Sequence, residues 1–272
     1  MKIIKYPDNG KYIINDLNET NLTYRINTYE DLFLLKSIKD ANPNLKEITI
    51  PCMFHQQHDR RFNQNESFEL KLVCEFINSI GFEKVKVFHP HSDVTPALLN
   101  NCEVINNYNF INQVLGLLEE NYLSLPRGIE NNLILMSTDA GGFKPLMKLC
   151  NQIDWKGETY SASKSRSYEC GASKLIQVVD RQDFNGKDLM IIDDLSCYGG
   201  TFIGLAKLLK ERNVGKLYLA ISHITVESPN LELYDYFDKI FTTNSKGLEY
   251  KNGWGKHPTN LQIINLFDEN IL

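Results

Sequence analysis

The sequence has no long apolar run and only a small excess of negative charge. No apolar stretch approaches the roughly 20 residues that span a bilayer, and the first ten residues, MKIIKYPDNG, have no signal-peptide core. The net charge of −5 over 272 residues disfavours a protein that binds the nucleic-acid backbone by electrostatics. We therefore expect a cytoplasmic protein with no membrane and no nucleic-acid partner.

The cysteines form no recognisable metal or redox motif. Six are present, and no two are spaced as CxxC, so neither a zinc site nor a thiol–disulfide centre is indicated. Cys52, Cys74 and Cys150 lie among apolar residues, which is typical of reduced cysteines in a core. This use of cysteine agrees with a cytoplasmic location.

Strand-like and helix-like segments alternate along the whole chain. Apolar runs predict strands at 47–50, 84–88, 133–136, 158–162, 175–179, 189–192, 216–221 and 239–242, and helical spacing predicts helices at 68–80, 109–118, 143–150 and 202–212. Such alternation is typical of an α/β fold whose mainly parallel sheets are flanked by helices. The sequence LPRG at 125–128 is the candidate linker, so we expect domains at 1–125 and 126–272.

The segment LMIIDDLSCYGGTFIG at 189–204 carries the strongest functional signal. An apolar strand meets two acids, Asp193 and Asp194, and a glycine-containing loop then leads into a helix. Paired carboxylates at the end of a strand can bind ribose hydroxyls or a hydrated Mg²⁺. Glycines and a helix N-terminus favour phosphate. The segment therefore predicts adjacent sugar and phosphate recognition.

Three other polar segments follow predicted strands. They are PCMFHQQHDRR at 51–61, VKVFHPHSD at 85–93 and TDAGGFK at 138–144. Ligands of open parallel sheets bind beyond the carboxyl ends of the strands. All of these segments are therefore candidate parts of a binding site.

In order and spacing these segments resemble the motifs of ribose-phosphate pyrophosphokinases. That family has a run ending Arg-Gln-Asp-Arg, an Asp-Leu-His turn, Asp-Ala-Gly-Gly, a catalytic Lys-x-Arg, a ribose-phosphate loop, Thr-His and Val-Thr-Asn. The matching residues here are Gln57-His58-Asp59-Arg60, His89-Pro90-His91, Asp139 to Gly142, Lys164-Ser165-Arg166, Asp193 to Thr201, Ser222-His223 and Thr242-Thr243-Asn244. The resemblance implies two phosphoribosyltransferase-like domains and a homo-oligomer.

The resemblance also implies an activity: Mg²⁺-dependent transfer of the diphosphoryl group of ATP to the anomeric hydroxyl of ribose 5-phosphate. The products are phosphoribosyl pyrophosphate and AMP. The implied roles are nucleotide binding by His58, Asp59, Arg60 and Arg61; catalysis by His91, Lys164 and Arg166; metal binding by His91 and Asp139; and sugar-phosphate binding by Asp193, Asp194, Cys197, Tyr198, Gly199, Gly200 and Thr201. We expect the polar segment around Lys164, SASKSRSYECGAS at 161–173, to be a mobile loop.

Departures from the family motifs leave the acceptor open. Cys197 and Tyr198 replace an acid and a small hydroxyl of the ribose-phosphate loop, and Tyr198 could stack on a base. ADP-ribose is therefore an alternative acceptor, with ADP-ribose pyrophosphate as the product and a role in NAD metabolism. Gln57-His58 replaces Arg-Gln, and Arg61 is the candidate substitute for the missing guanidinium. A phosphoribosyltransferase and a non-catalytic regulator of a synthetase are further alternatives.

Overall fold

The computed structural model describes residues 2–8, 10–14, 19–125, 128–169, 172–226, 232–247 and 258–267. Their packing divides the chain into two compact units. The first unit comprises Met1–Asn106, Ser245–Gly247 and Phe267–Leu272, and the second comprises Asn107–Asn244 and Leu248–Leu266. Within the described residues, no helix combines the length and apolar content that a membrane crossing requires.

The first unit alternates strands and helices after an N-terminal hairpin. Its described elements are β1 (Lys2–Lys5), β2 (Lys11–Ile14), β3 (Asn21–Thr23), α1 (Tyr29–Ala41), β4 (Glu47–Ile50), α2 (Glu69–Ile80), β5 (Lys84–Phe88), α3 (Val94–Leu98) and β6 (Cys102–Ile105). Strands β1 and β2 pair antiparallel, and the described main sheet is parallel with the order β3-β4-β5-β6. The strands therefore lie side by side in chain order.

Local sequence signals fix the helices of the first unit. Thr28 and Asp31 form a capping box at the start of α1, in which each side chain accepts a hydrogen bond from the other residue's backbone N–H. Helix α2 ends at Gly81, whose φ of 80° is the left-handed conformation that glycine adopts at low cost. The apolar stripes of α1 and α2 share one core with Ile48 and Val85 of the sheet.

The second unit is a larger α/β unit. Its described elements are α4 (Tyr108–Glu119), α5 (Gly128–Asn132), β7 (Leu133–Ser137), α6 (Ala140–Gln152), β8 (Thr159–Ser161), β9 (Ser163–Glu169), β10 (Ala172–Val178), β11 (Asp188–Ser196), α7 (Gly200–Lys210), β12 (Leu217–Ile224), α8 (Glu232–Tyr236), β13 (Lys239–Thr243) and β14 (Leu261–Ile264). Short 3₁₀ turns occur at Glu120–Tyr122 and Asn244–Lys246. The described sheet has the order β14-β13-β12-β11-β7-β8, with every pair parallel.

Helices cover both faces of this sheet. On one face α7 packs against alternate residues of β7, β11 and β12, including Met136, Ile191 and Leu219. On the other face α4 and α6 pack against the intervening residues, including Leu135 and Met190. Strands buried on both faces read as continuous apolar runs, which is why β7 and β11 were readable in the sequence. The predicted α/β class with mainly parallel sheets is confirmed.

The two units divide earlier in the chain than the linker at 125–128 suggested. Helix α4 precedes that segment, yet Phe110, Ile111, Val114 and Leu118 pack in the same core as Leu133 of β7. The division by packing therefore lies between Asn106 and Asn107. The LPRG segment therefore lies within the sequence of the second unit, and its residues 126 and 127 are outside the described part of the chain.

The segment at 161–173 is not the irregular loop that its polar composition predicted. Residues of β9 and β10 pair antiparallel in register, from Ala172 opposite Glu169 to Val178 opposite Ser163. Small and larger residues alternate in SKSRSYE, and alternation with a period of two favours an extended strand even in a polar sequence. The hairpin replaces the expected loop and carries both Lys164 and Arg166 in β9.

Candidate active site

The strand order of the second unit reverses between β7 and β11. From β7 the chain passes outward to β8, and from β11 it passes in the opposite direction through β12, β13 and β14. The following helices leave on opposite faces, since α6 and α7 belong to different cores. A crevice beyond the carboxyl ends of two such strands is the usual ligand site of an open parallel sheet. We name the ends of β7 and β11 the switch-point crevice.

Thr138 and Asp193 meet in the switch-point crevice. The Thr138 hydroxyl donates a hydrogen bond of 2.8 Å to Oδ2 of Asp193, and the Asp194 backbone N–H donates one of 2.9 Å to Oδ1. Desolvation, followed by the charge of the Asp194 carboxylate, raises the pKa of Asp193 well above its ordinary value. The site therefore holds two close carboxyl groups, and ionising both costs free energy until a cation or a donor binds.

The two acids lie inside a strand and not in the loop after it. Strand β11 runs to Ser196 and pairs with β12 as far as Ile224, whereas its pairing with β7 ends at Ile192 opposite Ser137. One edge of β11 therefore extends past its neighbour at Asp193 and Asp194. This extension exposes polar groups of the strand to the crevice.

The loop of the sugar-phosphate motif is short. It consists of Cys197, Tyr198 and Gly199, because Gly200 and Thr201 already form the first turn of α7. Gly199 has φ of 82°, and a Cβ at this position would approach Leu233 Cδ1 to 3.1 Å. Both facts require glycine. The backbone N–H groups of the first turn of α7 are the local donors for an anion.

Cys197 and Tyr198 differ in their surroundings. The half-buried Cys197 places Sγ 3.1 Å from Oγ1 of Thr225. Tyr198 leaves 70% of its surface exposed. Tyr198 therefore projects from the loop into solvent, where it is available to a bound molecule, and contributes little to packing.

Asp139, which the resemblance implies as a metal ligand, also has a structural role. Its Oδ1 accepts a hydrogen bond of 3.0 Å from the Gly142 backbone N–H and caps α6. Helix α6 therefore begins at Ala140, three residues before the predicted start. A Cβ at Gly142 would lie 3.3 Å from the Ser137 Cβ. The helix thus starts close against the end of β7, at the switch-point crevice.

A further group of polar motif residues, in β12 and at the end of β13, is buried. Ser222, His223, Thr242, Thr243 and Asn244 are each less than 10% exposed. The Thr243 hydroxyl donates to the Ser222 carbonyl at 2.6 Å, and Oδ1 of Asn244 accepts from the Leu266 N–H at 3.1 Å. These motif residues connect neighbouring strands and make the carboxyl edge of the sheet rigid.

The segment predicted to bind a nucleotide, here called the nucleotide segment, follows β4 in the first unit. Asp59 is buried and contacts the Arg60 guanidinium at 3.2 Å, whereas Arg60 itself is 67% exposed. His58 and Arg61 are also exposed. The segment therefore presents cationic and neutral donors around one buried acid, which suits a polyphosphate.

Gln56 connects this segment to the His89-Pro90-His91 turn. It is buried, and its Oε1 accepts a hydrogen bond of 3.1 Å from the His91 backbone N–H. Gln56 was not among the predicted site residues, and its only sequence signal was its position next to His55 in the polar segment after β4. His89 has a φ of 39°, which is unusual for a non-glycine residue. The turn is thus fixed by its backbone, and the side chain of His91 is exposed.

The predicted metal and catalytic residues fall in different units. His91 belongs to the first unit, whereas Asp139, Lys164 and Arg166 belong to the second. Among the described residues, no group of three or more histidine, cysteine and acidic side chains could hold a metal ion. The structure describes the backbone of Lys164 and Arg166 opposite Gln177 and Leu175, and their side chains lie outside the described features.

Proteins named ribose-phosphate pyrophosphokinase are similar to this chain over most of its length. No family model matches the chain. A ribose-phosphate pyrophosphokinase of Aquifex aeolicus is 27% identical over 251 residues, which cover 88% of this chain and 72% of that protein. A ribose-phosphate pyrophosphokinase of Methanobrevibacter smithii is 22% identical over 260 residues, with 89% and 84% covered.

The fold is shared with a solved structure. The phosphoribosylpyrophosphate synthetase of Mycobacterium smegmatis superposes with a TM-score of 0.72 over 97% of this chain and 85% of that one, at 15% identity. The sequence similarity to the two pyrophosphokinases extends over most of the chain. The chain is therefore similar in sequence to ribose-phosphate pyrophosphokinases over most of its length, and it shares the fold of a phosphoribosylpyrophosphate synthetase.

Proposed function

We propose that this protein transfers the diphosphoryl group of ATP to the anomeric hydroxyl of ribose 5-phosphate. The observation that carries the proposal is the switch-point crevice, where Asp193 and Asp194 lie beside the first turn of α7. Carboxylates accept hydrogen bonds from vicinal ribose hydroxyls, and the adjacent helix N-terminus favours the 5-phosphate. One crevice can therefore hold both ends of a ribose phosphate.

The reaction forms one phosphorus–oxygen bond and breaks another. The anomeric oxygen attacks the β-phosphorus of ATP, the bond from that phosphorus to the α,β-bridging oxygen breaks, and AMP leaves with that oxygen. The hydroxyl proton passes to a base or to water. The protein must align two anionic reactants and offset their charge. We assign the charge compensation to Lys164 and Arg166 of β9 and to Arg60 and Arg61.

The donor set of the crevice fits a magnesium ion. Mg²⁺ binds oxygen ligands and commonly uses one or two carboxylates together with substrate phosphates. The helix cap occupies Oδ1 of Asp139, and a carboxylate has a second oxygen. Asp139 is therefore the proposed protein ligand, with Asp193 and Asp194 close to the sugar. Bound Mg²⁺ would neutralise phosphate charge. Mg²⁺ prefers oxygen ligands. We therefore propose activation of a phosphate as the main role of His91, and metal binding as its less favoured role.

The products identify the reaction. Purified protein supplied with ATP, MgCl₂ and ribose 5-phosphate should release AMP in equal amounts to a new anomeric diphosphate, measured by ³¹P NMR. The Asp193→Asn variant should lose this activity, whereas Asp180→Asn, at an exposed acid of the same unit, should retain it. ADP as the only nucleotide product, or turnover that survives EDTA, would show that the proposed reaction is wrong.

ADP-ribose is a second candidate acceptor, supported by the exposed ring of Tyr198. An acceptor that continues from its 5-phosphate into a nucleoside would bring a base to the rim of the loop, and stacking of a base on an aromatic ring contributes about 1–3 kcal/mol. If ADP-ribose is used, Tyr198→Ala should lower its kcat/KM by about 10- to 100-fold and leave that of ribose 5-phosphate nearly unchanged. Equal effects on both acceptors would remove this candidate.

A further inference from the structure

The rings of His55 and His58 form an isolated imidazole pair in the nucleotide segment. Their Nδ1 atoms lie 3.0 Å apart, and the rings are stacked with centroids 5.3 Å apart. His55 is half-buried, and His58 is exposed. A distance of 3.0 Å is that of a hydrogen bond, so one Nδ1 donates and the other accepts.

The backbone holds the two rings in place. The His58 N–H donates to the His55 carbonyl at 2.9 Å, and the Leu70 N–H of α2 donates to the His58 carbonyl at 3.3 Å. His55 has a φ of 57°, in the left-handed region. Its ring also packs against Phe54 and Tyr29 at centroid distances of 4.1 Å and 5.4 Å. The pair is therefore preorganised before any ligand binds.

Burial decides which ring donates. The Nε2 atom of His55 is buried and has no hydrogen-bond partner among the described residues. A buried N–H without an acceptor is rarer than a buried acceptor without a donor. A neutral imidazole carries one proton, so a bare Nε2 on His55 requires its proton on Nδ1. His55 then donates to Nδ1 of His58, which must carry its own proton on Nε2.

The charges around the pair keep His55 neutral. Desolvation lowers the pKa of His55, a protonated His58 would lower it further, and the charge of Lys246 acts in the same direction, against the opposing effect of Glu69. Glu69 accepts a hydrogen bond of 2.8 Å from the Tyr29 hydroxyl, so part of its acceptor capacity is engaged. A neutral His55 can keep donating from Nδ1 at physiological pH.

We propose that His55 is a positioning residue that holds His58 in its Nε2–H form, so that His58 offers an exposed, uncharged N–H to the nucleotide. The nucleotide part of this statement rests on the proposed function. The tautomer part concerns the protein alone. Such a donor resembles an amide N–H, and a glutamine at position 58 would offer the same hydrogen bond.

The tautomer can be observed without substrate. In ¹⁵N-edited NMR spectra of the imidazoles at pH 8, His58 should show a protonated Nε2 and an unprotonated Nδ1, with His55 showing the reverse. His55→Asn retains a side-chain amide donor and tolerates positive φ, so it should keep His58 in this form. His55→Phe retains the ring but removes the donor, and His58 should become a mixture of tautomers. A protonated Nδ1 on His58 in the parent protein would overturn the proposal.

Kinetics test the nucleotide part separately. His55→Phe should raise KM for ATP about five- to tenfold, the usual effect of one misplaced neutral hydrogen bond, with kcat little changed. His55→Asn should stay close to the parent protein, and His55→Phe should have no effect in a His58→Gln background. If stacking alone matters, the Phe variant will bind ATP normally and the Asn variant will not, which contradicts the proposal. Loss of ATP turnover in the parent with the expected tautomers would reject only the proposed function.

Discussion

The Thr138 hydroxyl donates a hydrogen bond to the Asp193 carboxylate at 2.8 Å, across the point where the sheet order reverses. Thr138 follows β7, whereas Asp193 lies within β11. The contact therefore joins the two sides of the switch-point crevice. It stabilises the ionised carboxylate and opposes desolvation and the nearby Asp194 charge, which raise the pKa of Asp193.

Replacement of Thr138 by valine should change the pH dependence of the reaction. Valine has a similar shape but no donor, so the pKa of Asp193 should rise further. The ionised form is the one that accepts ribose hydroxyls, and activity at pH 7 should fall about three- to tenfold. The acidic limb of kcat/KM against pH should move to higher pH. Thr138→Ser keeps the donor and should leave the limb in place, and an unchanged limb in the valine variant would contradict this assignment.

The Asp193→Asn variant should lose activity and should be more stable than the parent protein at pH 8. Because folding raises the pKa of Asp193, this group stabilises the protein below its unfolded pKa of about 3.9, and that contribution disappears as pH rises through the folded pKa. Asparagine cannot ionise; its Oδ1 can accept from the Asp194 N–H, and its Nδ2 can donate to the Thr138 hydroxyl, which reverses that hydrogen bond. The variant should therefore have a higher Tm than the parent at pH 8, by about 2–4 °C per kcal/mol gained. A lower Tm at pH 8 would show that the ionised Asp193 carboxylate does not destabilise the folded protein.

Two variants of Asp139 separate helix capping from metal binding. Asparagine is a good N-cap, so Asp139→Asn should keep the parent Tm, whereas Asp139→Ala should lose about 1 kcal/mol of stability. If the carboxylate holds Mg²⁺, both variants should lose about 100-fold or more in kcat. Thermal unfolding and steady-state rates over a range of MgCl₂ concentrations provide the two measurements. A fully active and stable Asp139→Asn variant would show that Asp139 caps α6 and does not bind the metal.

Lys164→Ala should lower kcat by about 100-fold, because a cation that meets the transferring phosphates acts mainly in the transition state. The polar sequence of the hairpin predicts a change in the free energy of unfolding of less than about 0.5 kcal/mol. Lys148→Ala, at an exposed lysine of α6 in the same unit, is the matched control and should leave kcat unchanged. Values of kcat within twofold of the parent in both variants would remove Lys164 from the mechanism.

Much of the second unit could be predicted because its central strands are buried on both faces. The apolar runs at 133–136 and 189–192 located β7 and β11 directly. Their ends could not be predicted. The acids Asp193 and Asp194 interrupt the apolar pattern, although the backbone continues to pair with β12. The hydrophobic pattern of a sequence indicates which side chains are buried. The length of a strand also depends on backbone hydrogen bonds to a neighbouring strand, which that pattern does not indicate.

Specific hydrogen bonds and strand pairing, which composition does not reveal, explain the remaining differences. The cap of Asp139 starts α6 despite two glycines of low helix propensity. The β9–β10 pairing orders a segment whose composition is that of a loop. The His55–His58 pair and the contact of Gln56 with His91 depend on ring and backbone geometry. The sequence placed His58 and His91 in a candidate site, but the residues that orient them became visible only in the fold.

The strand order of the second unit has a consequence for how the protein folds. Strands β11, β12 and β13 each pair with the next strand in the chain, whereas β7 pairs with β8 on one side and reaches β11 on the other side across the residues at 138–187. Closing the longer loop costs more entropy, so we expect β7 to dock late. Leu219→Ala in β12 should slow refolding, and Leu135→Ala in β7 should mainly speed unfolding, as measured by stopped-flow refolding in urea. The switch-point crevice between β7 and β11 would then be the last part of the sheet to form, and a nascent chain would complete its proposed ligand site after most of its core.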